Sequence, residues 1–337
     1  MNAWIHRARR AARVGARVGS AAARTTLSRL RHGPRHAHWT WTYELTVTFV
    51  RDAFFRPSPG LEATRARMDE LGRRGRRVPG LTWQPTTVGG VPAEWVYAPA
   101  PSEVTIVYLH GGGYAFGSVD SHASLIAKLA QSTGARVLAP LYRLAPEHPC
   151  PAAIDDVVAV WRALLAGGLA PHRALIGGDS AGGGLTVAAM VAIRDAGLPL
   201  PAGAFLLSPW TDLGMTQAHS HAFWRDDYLG TQAGLREFAK HYLHALAEDD
   251  PRASPLYADL RGLPPLLILA GGAEILLDDS TRLAERATAA GVEVELVVEP
   301  GEVHVYPLFD RLSTPAKRGW EQITAFVARR ARAGERR

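Results

Sequence analysis

A chain of 337 residues, 47% of them apolar, can bury a large core, and one catalytic domain with an appended N-terminal segment fits its patterning best. Its single cysteine, Cys150, excludes an intrachain disulfide framework, and no metal-ligand spacing of Cys and His occurs. The net charge of +6 is local: nine arginines and no acid lie in residues 1–43, and subtracting those nine leaves −3 on the remainder, which excludes a basic catalytic body; the Arg-rich segment could itself bind nucleic acid, but it has no accompanying fold motif and few aromatics among its arginines, so no nucleic-acid partner is expected.

Residues 1–36 are rich in Ala and Arg, with Arg10, Arg17, Arg24 and Arg31 at a seven-residue interval that aligns them on one helical face. Gly15 and Gly19 each weaken such a helix by about 1 kcal/mol relative to Ala, so the segment is expected to be a solvated helix or a disordered tail. The alternative is a basic amphipathic element making a peripheral contact with an anionic membrane surface. Arg7, Arg9, Arg10, Arg13 and Arg17 interrupt any apolar region of a secretion signal, and no apolar run is long enough for a transmembrane helix. The expected location is therefore cytoplasmic, or membrane-peripheral if the alternative holds. His32, His36 and His38 fall in the same basic stretch, which is expected to be mobile, their clustering a matter of chance. Gly33-Pro34 ends the element, and Trp39 to Phe55 follows as an apolar, aromatic segment.

Leu81 to Thr87 and Val91 to Tyr97, joined across Gly89-Gly90, read as a β-hairpin. Strands are then expected at 104–109, 136–140, 173–177 and 203–207, alternating with helices near 120–132, 152–166 and 181–196. Such alternation implies βαβ units and a mainly parallel sheet with helices on both faces, with ligands bound at the strand C-termini. The rhythm stops between Pro209 and Pro264, a stretch containing His219, His221, Trp224, Tyr228, His241 and Tyr242. It resumes with strand Leu266 to Ala270, helix Asp278 to Ala290, strand Val292 to Val298 and a last helix from about Pro315 to Arg330.

Two segments in this frame carry chemistry. Gly178-Asp179-Ser180-Ala181-Gly182 joins a short apolar strand to an Ala- and Gly-rich helix, the setting of a nucleophile elbow. Ser180 must there occupy a strained turn, and glycines on either side lack the Cβ atoms that would clash. Upstream, the β-branched run Val104 to Leu109 ends in His110-Gly111-Gly112-Gly113-Tyr114. Glycines directly after a buried strand leave backbone amides uncovered for a developing oxyanion.

These motifs, with Tyr142-Arg143-Leu144-Ala145-Pro146-Glu147-His148-Pro149 and Ser208-Pro209-Trp210, resemble the hormone-sensitive-lipase-like family of α/β-hydrolases, which are carboxylic ester hydrolases. The resemblance covers roughly Thr82 to Val327 in the family's order and spacing. It implies an α/β-hydrolase fold over residues 81–337, with a helical cap formed by residues 37–80 and an insertion at about 210–262. The oxyanion donors it implies are the amides of Gly112, Gly113 and Ala181.

A serine hydroxyl needs a base within hydrogen-bond reach, itself oriented by a carboxylate. Among thirteen histidines, His304 lies in a loop after the last expected strand, where the family has its base, although Val305 replaces the glycine that usually follows. The family's acid position falls on Glu274, thirty residues before His304. Asp278 remains the alternative, and Asp278 and Asp279 are otherwise expected to open the next helix. His110, Asp179 and Glu147 are given structural roles. The expectation is a cofactor-independent serine esterase with a Ser180–His304–Glu274 triad, no metal and a small ester substrate. A lactone hydrolase or small-metabolite deacetylase is the alternative, and a non-catalytic ligand-binding protein on the same fold the remote one. Oligomeric state is not legible.

Overall fold

The computed structural model describes residues 2–54, 60–216, 227–229 and 232–333, without the side chains of residues 2–14, 17, 53, 54, 74, 77, 232, 233 and 333. His219, His221 and Trp224 lie outside them. The described helices are α1 (Asn2–His32), α2 (Trp41–Phe54), α3 (Leu61–Gly72), α4 (Ala123–Thr133), α5 (Ala152–Ala166), α6 (Ala181–Asp195), α7 (Gln232–Leu243), α8 (Leu277–Ala289) and α9 (Thr314–Ala333). The strands are β1 (Thr82–Val88), β2 (Val91–Tyr97), β3 (Thr105–Leu109), β4 (Arg136–Pro140), β5 (Ala174–Asp179), β6 (Gly203–Leu207), β7 (Leu266–Gly271) and β8 (Val294–Glu299).

The strands form one sheet of order β1-β2-β4-β3-β5-β6-β7-β8. The β1–β2 hairpin turns at Gly89 and Gly90, whose φ of 60° and 83° suit the primed turn that a two-residue hairpin favours. Only the β1/β2 and β2/β4 pairs are antiparallel; the six strands from β4 to β8 run parallel. Alternation along each strand divides the core. Val107, Leu109, Ile176 and Leu206 pack under α5 and α6, while Ile106, Tyr108, Leu175 and Phe205 face α4 and α9. Each such side chain, buried fully, stabilises the fold by about 1.5–3 kcal/mol.

Register positions the functional loops. Leu109 pairs with Gly178, Asp179 with Leu207, and Gly271 with Glu299, so the segments that follow β3, β5, β6, β7 and β8 leave the same end of the sheet side by side.

Three expectations are corrected here. Residues 2–32 form one continuous helix, α1, which is not simply solvated: Ala21 and Thr25 are buried where it packs on α2. Arg29 donates to the Trp39 carbonyl at 3.0 Å and to the fully buried Glu44 carboxylate at 2.8 Å. Nor is the histidine stretch loose, because His36 and His38 pack against Gly301. The last strand also starts two residues late, since Gly291, in the left-handed region at φ 82°, is spent turning the chain after α8.

A buried carboxylate that loses its cation is costly, typically about 3–5 kcal/mol. Arg29→Ala should therefore lower stability by about 3 kcal/mol, the lower end because Arg29 reaches solvent and Arg35 remains 3.5 Å from Glu44. Arg31→Ala, on the exposed side of α1, should change it by less than about 0.5 kcal/mol. Urea denaturation of the two variants checks the contrast.

Candidate active site

Ser180 sits between β5 and α6 with φ 54° and ψ −123°, a conformation that costs a non-glycine residue about 1–3 kcal/mol. The neighbours enforce it. A Cβ at Gly178 would overlap the Gly182 and Leu109 carbonyls, and one at Gly182 would overlap those of Leu109 and His110, so both positions must be glycine for β3, β5 and α6 to meet this closely. The Ser180 amide donates to the Leu207 carbonyl at 2.8 Å, and the Ser180 carbonyl accepts from Trp210 at 2.9 Å. These bonds tie the elbow to β6 and the segment after it. Ser180 is the N-cap of α6, so the helix's unpaired amides and positive dipole end lie at its side chain.

The glycine loop after β3 turns at Gly112 (φ 122°) and Gly113 (φ 59°), both in the region that favours glycine. Asp179, the residue before Ser180, holds this loop. Its Oδ1 accepts the Gly111 amide at 3.0 Å and the Tyr108 hydroxyl at 2.6 Å, and His122 Nε2 lies 3.3 Å from Oδ2. Burial opposes the charge on Asp179, but His122 and the Tyr108 hydroxyl keep the carboxyl below its ordinary range. His110 stacks on Tyr142 at 4.4 Å, with Nδ1 2.8 Å from the Gly111 carbonyl oxygen. Burial depresses its pKa to about 3, so the ring is a neutral part of the loop. Glu147 pairs with Arg65 of α3, whose guanidinium also donates to the Ala115 and Ala145 carbonyls. All three residues thus make the structural contacts expected of them.

His304 follows β8 and is 2% exposed; Glu274 follows β7 and is fully buried. His304 Nδ1 lies 3.8 Å from Glu274 Oε2. Burial lowers the His304 pKa to about 3, which keeps the imidazole unprotonated, the form a base requires, throughout the neutral range. The Glu274 carboxyl is pushed up by burial and by the nearby Asp227 carboxylate, while the Ser208 hydroxyl, donating at 2.6 Å, and the Gly271 amide at 3.1 Å favour its ionised form. Asp278 stands half-buried in the first turn of α8. Its neighbour Asp279 accepts the amides of Thr211 and Asp212 at 2.6 and 2.8 Å, which ties α8 to the segment after β6.

Two contributors escaped the sequence reading. Ser208 donates to Glu274 and accepts the Val305 amide at 2.9 Å, bridging the loops that carry Glu274 and His304. Asp227, buried in the insertion, accepts the Ile275 amide at 2.9 Å and is also bonded to the His304 backbone; burial raises its pKa to about 6. Ser208 stood in a recognised motif whose role only the fold displays. No local pattern marked Asp227.

Ser180, His304, Gly112 and Gly113 line one cavity of about 820 Å³. Its remaining wall is largely apolar and comes from α2 (Val50), α3 (Met68), α4 (Leu125) and α7 (Leu235, Phe238). The Tyr228 ring meets His304 edge-on at 6.0 Å. Tyr242 stacks on Tyr114 at 3.9 Å, whereas His241 is exposed on α7. No described helix is long and apolar enough to cross a membrane.

Residues 106–308 match the family described as the alpha/beta hydrolase fold. The chain is 45% identical to an acetyl-hydrolase of Streptomyces hygroscopicus over 242 residues, 72% of this chain and 81% of that protein. It is 35% identical to an esterase of Acinetobacter venetianus over 291 residues, covering 85% and 96%. The crystal structure of an esterase from the bacterial hormone-sensitive lipase family superposes with a TM-score of 0.81 at 40% identity, covering 84% of this chain and 95% of that one. With the fold, the elbow and these likenesses in agreement, the chain belongs to the hormone-sensitive-lipase-like family of α/β-hydrolases and is a carboxylesterase-type hydrolase.

Proposed function

We propose that this enzyme cleaves small carboxylic esters through a Ser180–His304–Glu274 triad, with the amides of Gly112, Gly113 and Ala181 as its oxyanion hole. The observation that carries the reading is a strained serine sharing one cavity with a buried histidine whose Nδ1 faces a buried carboxylate. Ser180 Oγ attacks the ester carbonyl carbon as His304 Nε2 takes its proton. The negative oxygen of the tetrahedral intermediate is met by the three amides and the N-terminal end of α6. Its collapse breaks the carbon–oxygen bond, His304 protonates the leaving alcohol, and water activated by the same imidazole releases the acid from Ser180.

Glu274 acts as the imidazole becomes charged. The 3.8 Å separation then closes to hydrogen-bond length, because an ion pair in a dry site gains far more from approach than a neutral pair does. The Ser208 hydroxyl donates to Glu274 Oε2 and keeps the carboxylate in place.

The similar proteins include an acetyl-hydrolase and an ethyl acetate hydrolase, which supports a short acyl group, while the apolar cavity leaves room for a longer chain. A panel of p-nitrophenyl esters of increasing acyl length, with a lactone and an N-acetyl compound added, tests this. Turnover should be highest among the esters and fall for the longest chains. Preference for the lactone or the N-acetyl compound by more than about tenfold in kcat/KM, a transition-state difference near 1.4 kcal/mol, would replace the ester reading.

A further inference from the structure

The loop bearing His304 is gripped from two directions. On its inner side the Val305 amide donates to Ser208 and the Glu302 carbonyl accepts the Ala273 amide at 2.9 Å. On its outer side the fully buried Glu302 carboxylate accepts the Tyr43 hydroxyl of α2 at 2.6 Å and the Ser313 hydroxyl at 2.7 Å. His38 Nε2 lies 3.3 Å from the same carboxylate, and Trp39 Nε1 donates to the Gly301 carbonyl at 2.8 Å. Gly301, at φ 72°, admits the rings of His36 and His38 where a Cβ would overlap them. Trp39, Tyr43, Phe309, Tyr228 and His304 then meet ring to ring, each pair of centroids 5.0–6.0 Å apart.

We infer that Glu302, anchored by Tyr43, is a positioning residue that sets the orientation of the His304 imidazole, so that the N-terminal segment acts on the catalytic base as well as walling the cavity. This rests on His304 being that base. A carboxylate taken out of water adds little net stability even when well paired. What the charge supplies is direction. Glu302 stands two residues before the base, and its hydrogen bonds fix the turn between Gly301 and His304 against two separate elements. Misplacing a reacting group by about 1 Å can cost on the order of 100-fold in rate.

The test compares Tyr43→Phe, Glu302→Gln and the double variant on a p-nitrophenyl ester. Val47→Ala serves as a packing control, because Val47 lies in the same buried cluster. His304→Ala separates the two levels of the argument. Readouts are kcat, KM, melting temperature and the rate at which a p-nitrophenyl phosphate triester labels Ser180. Tyr43→Phe and Glu302→Gln should each lower kcat and labelling by about 10- to 100-fold with KM nearly constant. The double variant should be no worse than the worse single one, since both remove one shared interaction. Val47→Ala should melt earlier and turn over normally. The inference is overturned if both single variants keep wild-type kcat, if their losses multiply in the double variant, or if Val47→Ala loses kcat equally. Should Glu302→Gln fail to fold, Tyr43→Phe, which deletes one hydroxyl, decides alone. An active His304→Ala would instead remove the base assignment, whatever the Glu302 variants do.

Discussion

Ser180→Ala is expected to leave the fold intact and to cut ester turnover by roughly 10⁴- to 10⁶-fold, the scale on which serine hydrolases lose activity with their nucleophile. Alanine keeps the Cβ and therefore the strained φ of 54°, so the elbow, its bonds to β6 and the packing of α6 are unchanged and only the attacking oxygen is gone. The residual rate is then that of the proposed oxyanion hole binding the intermediate formed by water. Steady-state kinetics on a p-nitrophenyl ester, with near-UV circular dichroism to verify the fold, measures it. More than about a tenth of the activity in a folded variant would show that another group does the chemistry.

Substitution of the acid should have the next largest effect. Glu274→Gln preserves shape and burial but removes the charge proposed to stabilise the imidazolium, and a loss of up to about 10⁴-fold is expected by analogy with an Asp-to-Asn change in such a triad. Asp278→Asn should cost no more than about 1 kcal/mol of stability, the scale of a charge at a helix N-terminus, and little activity. The geometry favours Glu274, which is fully buried with an oxygen 3.8 Å from His304, over Asp278, half-buried in the first turn of α8. Parallel measurement on one substrate decides, and a crippled Asp278→Asn beside a nearly normal Glu274→Gln would move the acid one helical turn along the chain.

The central strands were legible because a parallel strand buried on both faces must be apolar throughout, and β3, β5 and β6 read that way without help from their surroundings. The elbow was legible because close approach of β3, β5 and α6 admits only glycine at positions 178 and 182. Sequence reading failed where a residue's meaning depends on a remote partner. His38, Trp39 and Tyr43 look like an unremarkable basic and aromatic stretch until Gly301 and Glu302 are placed beside them. Arg29 reads as one more tail arginine until the buried Glu44 appears. The segment Leu61–Gly72 carries no fully buried residue, and what marks it instead is a pair of glycines after it: a Cβ at Gly72 or Gly75 would overlap the backbone near the start of α4.

The span of the Glu302 contacts has a consequence for how the enzyme comes into being. Tyr43 and Glu302 are 259 residues apart in sequence, Trp39 and Gly301 262. At a synthesis rate of about 5–20 residues per second, α2 waits at least about 13 seconds for its docking surface to be translated. During that interval its aromatic face has only part of its native packing, from α1 and from Tyr228, and the βαβ core can already be assembling beside it. Contacts of such high order close late in folding, because the loop entropy they must overcome is offset only once the intervening chain is ordered. If Glu302 orients His304 as inferred above, completion of the catalytic centre is thereby deferred to the end of biogenesis, and a nascent chain with most of its sheet formed is still not an esterase.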